Sequence, residues 1–246
     1  MKICISGRSH MVALKNAIEE GKFDTAGDEY VFIGASGKAY KNDTYVEDGI
    51  LRARGAANKM FLQTSNGQYD RLDPQDFDVV VLYGTPVHVQ ALFASILRAG
   101  NAESEFSSAY LRRATQKWFE AQPTLATIRA MRARSDTPIV FKFEPFFSEK
   151  YAERMPEGRQ VSSKTRDIVF AALRESVEEA GATCVFQPES TIANVIYSPH
   201  ELSIGSRPMA GEGSEQHDDD DVTHLNSSYG AIALKELRGT IQKLVA

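Results

Sequence analysis

The chain is poor in cysteine, in excess basic charge and in long apolar runs, and each shortage removes a class of protein. Its two cysteines, Cys4 and Cys184, each lie inside an apolar run. Neither has a second cysteine at metal-site spacing, so two buried, reduced thiols are expected. Lys and Arg total 28 against 33 Asp and Glu, a formal net charge of −5. A mildly acidic chain with no basic tail is not built for nucleic acid or for an anionic membrane surface. No apolar run approaches the roughly 18 residues of a membrane span. Met1–Ser6 meets Gly7 without the longer apolar stretch and small-residue cleavage site of a secretory signal. These features lead to an expected cytoplasmic location.

What is present is enough apolar residue for a core: 42% of the chain is hydrophobic and 25% charged, which excludes a disordered protein. Five apolar, β-rich runs recur, at Lys2–Ser6, Glu29–Gly34, Asp78–Tyr83, Pro138–Phe143 and Ala182–Phe186. Most are continuous rather than alternating, as strands buried on both faces should be. Helical patterns lie between and after them, at His10–Glu20, Val87–Ala99, Glu105–Ala121, Pro123–Arg134, Ser162–Ala180 and Ser227–Val245. Ser162 suits an N-cap and Gly181 a helix stop; Asn226 or Ser227 caps the last helix. Strand–helix alternation predicts an α/β fold, a parallel sheet with helices on both faces. No repeat or linker divides residues 1–246, so one domain is expected. It carries a small insertion near 40–77, with a hairpin around Asn66–Gly67, and a long loop near 187–222.

In open parallel sheets, ligands bind beyond the carboxyl ends of the strands. Those ends carry Gly7-Arg8-Ser9-His10, Gly34-Ala35-Ser36-Gly37-Lys38 and Gly84-Thr85-Pro86-Val87-His88. The second lacks both the phosphate-loop and the dinucleotide glycine spacing, so it is a plain glycine turn and no cofactor is expected. Ser9 sits on a glycine turn where backbone N–H groups can stabilise an oxyanion, or it is an ordinary helix cap. Asp221 and His224 stand at i, i+3, where a carboxylate can orient an imidazole as a general base requires. Taken alone, that pair fits a capped acidic loop equally well.

His217, Asp218, Asp219, Asp220, Asp221 and His224 have metal-ligand chemistry, but consecutive Asp side chains diverge. A solvated acidic loop is the better reading, and no metal is expected. His88 and His200 have no acidic partner at close spacing and read as loop histidines. Phe106, Tyr110, Leu111, Ala114, Trp118 and Phe119 form a stripe at helical spacing, suited first to core packing, next to a homodimer face and third to a lid over the pocket. Phe143-Glu144-Pro145-Phe146-Phe147 reads either as an aromatic wall beside the crevice or as a helix start with Pro145 at an early position.

Gly7-x-Ser9-His10 near the amino terminus and Asp221-x-x-His224-Leu225-Asn226-x-x-Tyr229-Gly230 before the last helix together resemble the SGNH (GDSL-type) hydrolases, in the variant with His after the serine. The resemblance implies a three-layer α/β/α sandwich with a flavodoxin-like five-stranded parallel sheet of order 2-1-3-4-5. It implies Ser9 as nucleophile, His224 as general base and Asp221 as the group that orients it. It also implies oxyanion donors from the Ser9 backbone, from a glycine after the second strand (Gly34 or Gly37) and from an asparagine after the third.

Two positions depart from the family pattern: Arg8 stands where Asp is usual, and Pro86 where Asn is usual. Gly84, Thr85, His88 and Asn226 are the nearby substitutes for the missing donor. Arg8 suits an anionic substrate clamp or, better, an ion pair with the Asp218–Asp221 run. The expected activity is hydrolysis of a small ester, such as an O-acylated saccharide. An O-acyltransferase and a non-catalytic ligand-binding protein are the alternatives.

Overall fold

The structure, a computed structural model, describes residues 1–85, 87–99, 106–154, 161–209, 216–218 and 220–246. Its strands are β1 (Lys2–Gly7), β2 (Glu29–Gly34), β3 (Thr44–Glu47), β4 (Ile50–Ala53), β5 (Arg71–Leu72), β6 (Val79–Tyr83), β7 (Ile139–Lys142) and β8 (Thr183–Val185). The helices are α1 (Val12–Glu19), α2 (Gly37–Asp43), α3 (Gly55–Thr64), α4 (Val89–Ala99), α5 (Ser108–Glu120), α6 (Pro123–Arg134), α7 (Ser163–Glu179) and α8 (Ser227–Val245).

Five strands form a parallel sheet in the order β2-β1-β6-β7-β8, and β3-β4-β5 form a separate antiparallel sheet. Counting only the parallel strands, the order is the expected 2-1-3-4-5. The chain is therefore an α/β three-layer sandwich. Alternation along the strands divides the core. Ile3 and Ile5 of β1 join Leu14 of α1 and Leu234 of α8 on one face. Cys4 of β1 and Leu82 of β6 join Phe61, Phe93, Ile128 and Leu173, from α3, α4, α6 and α7, on the other. Both cysteines are buried and unpaired.

Capping follows the local sequence. Ser162 Oγ accepts the Thr165 amide at 3.1 Å, and Gly181, at φ +93°, leaves the helix end in a conformation that side chains resist. Gly230 lets α8 lie on α1, since a Cβ there would stand 1.9 Å from the Ala13 carbonyl oxygen.

The insertion folds differently from its expectation. Asn66 and Gly67 both take positive φ, but they close the end of α3. The hairpin turn is Asp48–Gly49, at φ +51° and +74°, between the paired β3 and β4. Asp-Gly and Asn-Gly are equivalent local hairpin signals, and only the first has strand partners on both sides. The aromatic stripe on α5 is mixed: Leu111 and Phe119 are buried, whereas Tyr110 is exposed and stacks on Phe106 at 4.7 Å. No helix starts at Pro145; Phe143 and Phe146 belong to the core.

Candidate active site

The carboxyl end of β1 runs into a single 3-10 turn, Ser9–Met11, that leads into α1. Arg8 holds extended backbone ahead of that turn, which leaves Ser9 half-buried at the sheet edge. The other half of the site comes from the segment before α8. Asp221 Oδ1 accepts the amides of Thr223 at 2.6 Å and His224 at 3.1 Å, and the Thr223 hydroxyl at 2.8 Å. That turn is one an Asp side chain makes locally.

It leaves Oδ2 for His224 Nδ1, 2.8 Å away. With Nδ1 protonated by that contact, Nε2 is the acceptor, and it lies 3.0 Å from Ser9 Oγ. The loop is held from both sides: the Ser148 amide donates to the Val222 carbonyl at 2.8 Å, and Leu225 is buried. Burial alone would raise the Asp221 carboxyl. The hydrogen bonds from His224 and Thr223 outweigh it and hold the group well below the usual carboxylate range.

Arg8, one residue earlier, turns inward. Its Nε donates to the Gly84 carbonyl at 2.9 Å, and its Nη2 donates to Glu144 Oε1 and to His88 Nε2, the latter at 3.0 Å. Accepting at Nε2 leaves the His88 ring proton on Nδ1, which lies 2.6 Å from Glu144 Oε2. His10 Nε2 is 3.8 Å from the same oxygen. Burial and the Arg8 cation push the His88 imidazole down to about 4. Burial, then the neighbouring His224, Arg8 and His88, hold His10 well below its ordinary value. The expected pairing of Arg8 with the Asp218–Asp221 run is thus corrected. Glu144, two residues beyond the end of β7, meets the Arg8 guanidinium instead. His88 likewise has an acidic partner, one that close sequence spacing could not reveal.

The residues named as oxyanion donors separate. The Gly34 amide is taken by Thr64 Oγ1 at 3.1 Å, and Gly34 is packed so tightly that a Cβ would meet the Gly7 carbonyl at 2.3 Å. Asn226 is the α8 cap. Its Oδ1 accepts the Ser228 and Tyr229 amides, and its Nδ2 donates to the Glu201 and Ile204 carbonyls. Neither Gly34 nor Asn226 is a free donor, because the first is a sheet-core position and the second caps the start of α8. The Gly84 amide is held by the Lys142 carbonyl at 3.1 Å.

Both ring nitrogens of His88 are engaged as well. The backbone amides of Ser9, Gly37 and Thr85, by contrast, have no acceptor among the described residues. Gly37 opens α2 beside Arg8, whose Nη1 would be 3.6 Å from a Cβ at that position. Pro86 lies outside the described residues. Sequence reasoning missed Glu144 and Thr223. A carboxylate directly after a buried strand, in Phe143-Glu144-Pro145, was the signal for the first.

His217 stacks on His224 with centroids 4.2 Å apart, and its Nδ1 is 3.4 Å from Asp221 Oδ2. His217, Asp221 and His224 thereby place metal-ligand atoms within 4.8 Å of one another. His200 is tied to its loop through Ser148 Oγ, 3.1 Å from Nδ1.

No protein-family model matches the chain, and no curated protein does. Among solved structures it is similar to the periplasmic domain of a lipopolysaccharide acetyltransferase from Salmonella ser. Paratyphi A. The identity is 13% and the TM-score 0.47, over 98% of this chain and 83% of that one. Among the described residues, no helix is long and apolar enough to cross a membrane.

Proposed function

We propose that this protein is an SGNH-type serine esterase or deacylase acting on a small ester, with Ser9 as nucleophile, His224 as general base and Asp221 as its orienting carboxylate. The observation that carries the reading is the unbroken chain from Ser9 Oγ to His224 Nε2 and from His224 Nδ1 to Asp221 Oδ2, at 3.0 and 2.8 Å. Residues 215 positions apart are brought into hydrogen-bond contact in the order that acyl transfer requires.

Ser9 Oγ forms a bond to the ester carbonyl carbon while its proton passes to His224 Nε2. The charge that develops on the carbonyl oxygen is met by the unpaired amides of Ser9, Gly37 and Thr85. The carbon–oxygen bond to the alcohol then breaks, and His224 returns the proton to the departing alkoxide. Water attacks the acyl-enzyme and gives its proton to Nε2. The acid leaves as Ser9 regains that proton. Asp221 stays ionised throughout and stabilises the imidazolium. Two buried, unpaired cysteines suit a reducing compartment, and we place the reaction in the cytoplasm.

The test is intact-mass analysis after incubation with a fluorophosphonate. A single adduct on the natural protein, absent from Ser9→Ala, is expected. A folded natural protein that takes no adduct overturns the reading in favour of non-reactive ligand binding. Ester turnover that rises when a sugar alcohol is supplied would redirect the acyl group from water to a hydroxyl acceptor.

A further inference from the structure

His217, Asp221 and His224 each offer one metal-ligand atom, and the three atoms lie within 4.8 Å of one another. Of the four consecutive aspartates, only Asp221 joins this group among the described residues. His217 reaches it from outside the Asp221–His224 turn, where its amide donates to the Ser206 carbonyl at 2.8 Å. Its Nδ1 and the His224 Nδ1 lie 3.4 and 2.8 Å from the same oxygen, Asp221 Oδ2. The side chains of His217, Asp221 and His224 are 20%, 16% and 23% exposed, so an ion can arrive from water.

Ligand type and spacing select the ion. Two imidazole nitrogens and one carboxylate suit zinc, whereas calcium and magnesium take shells of oxygen. Ligands about 2.1 Å from a tetrahedral zinc ion stand about 3.4 Å apart, which is the separation of His217 Nδ1 from Asp221 Oδ2. To meet the ion the His224 contact widens, and the His217 ring, stacked at 7° to His224, turns out of the stack to aim its lone pair. Three protein ligands leave the fourth zinc position to water.

We infer that His217, Asp221 and His224 form a zinc site that switches the candidate general base off. The site stands on these three residues, and the inhibition rests on the proposed function. Zinc takes the His224 Nδ1 lone pair, and the one proton of the neutral ring moves to Nε2. Nε2 then donates to Ser9 Oγ and can no longer accept its proton. Asp221 is drawn to the ion in the same step and releases the imidazole. Removal of zinc returns the proton to Nδ1 and restores the base.

The test uses untagged protein in EDTA and in rising zinc chloride, with two readouts. Competition with a chromophoric zinc chelator measures binding. The rate of fluorophosphonate labelling, relative to each protein's own rate in EDTA, measures inhibition. The natural protein should bind zinc, and saturation should slow labelling by about 10²-fold or more, the contribution of a positioned general base. His217→Ala and His217→Phe, the second of which keeps an aromatic ring beside His224, should each weaken binding by at least about tenfold. The inhibition curve should shift by the same factor, and magnesium should leave labelling unchanged.

Zinc that does not bind, or that binds and inhibits both variants as well as the natural protein, overturns the site. Zinc that binds through His217 while labelling proceeds at its EDTA rate overturns the switch. If the natural protein takes no label even in EDTA, the esterase fails and chelator competition alone decides the site. Binding weakened in both variants then upholds it, and equal binding overturns it.

Discussion

Two groups of ionisable side chains meet at the carboxyl edge of β1, supplied by chain neighbours. Ser9 faces the loop before α8, where Asp221 and His224 are partly open to water, with side-chain exposures of 16% and 23%. Arg8 faces the sheet interior, where its partner Glu144 is 3% exposed. The first group is assembled by a local turn plus one long-range contact, and it leaves the Ser9 hydroxyl half-buried. The second is assembled wholly by tertiary contact among Arg8, Glu144 and His88. A half-buried hydrogen-bonded chain can move a proton, whereas a buried ion pair is costly to disturb and fixes geometry. We read Arg8 as the residue that holds the turn beneath Ser9.

The largest break in this contrast is His224→Ala. It should slow fluorophosphonate labelling of Ser9 by about 10³-fold or more with little change in melting temperature. Labelling at the natural rate would remove His224 from the chemistry. Glu144→Ala should do the opposite. It strands a buried guanidinium and should cost about 3–5 kcal/mol in urea unfolding; a loss under about 1 kcal/mol would mean that Arg8 finds water.

Gly230→Ala pushes α8 away from the Ala13 carbonyl and should cost about 1–3 kcal/mol. Because α8 follows directly after His224, labelling should fall with it, and unchanged labelling would show that the loop holds itself. Asn226→Ala should cost about 1 kcal/mol as a lost cap while labelling stays within about twofold, which separates capping from oxyanion binding.

A further comparison is in pH. His88 is held down to about 4, against about 6.5 in an unfolded chain. On acidification the unfolded state therefore takes its proton first. Stability present above about 6.5 should decline as the pH falls toward 4, because the unfolded chain binds more protons across that window. His88→Gln should flatten the decline in unfolding curves taken at pH 7 and pH 5. An unchanged slope would assign it to another group.

Much of this molecule is readable locally. The apolar runs mark all five parallel strands to within a residue or two, because a strand buried on both faces must be apolar throughout. Pro123–Arg134 and Ser227–Val245 match their helices end to end, since Pro, Ser and Asn punctuate backbone geometry that depends on near neighbours. Asp221 and His224 were legible for the same reason, three residues apart on one turn. The hairpin was misplaced because Asp48–Gly49 and Asn66–Gly67 carry equal local signals and only strand pairing chooses between them. Arg8 and Glu144 are 136 positions apart, and no periodicity links them.

The sequence by itself determined the layers, the extents of the parallel strands and the local pairing of Asp221 with His224. Tertiary structure alone decided which charges meet, which amides are left free, and that Gly34 and Asn226 are spoken for. The physical reason is range. Helix caps, turns and strand burial are set by residues a few positions apart. Pairing of buried charges is set by where whole strands and helices come to rest.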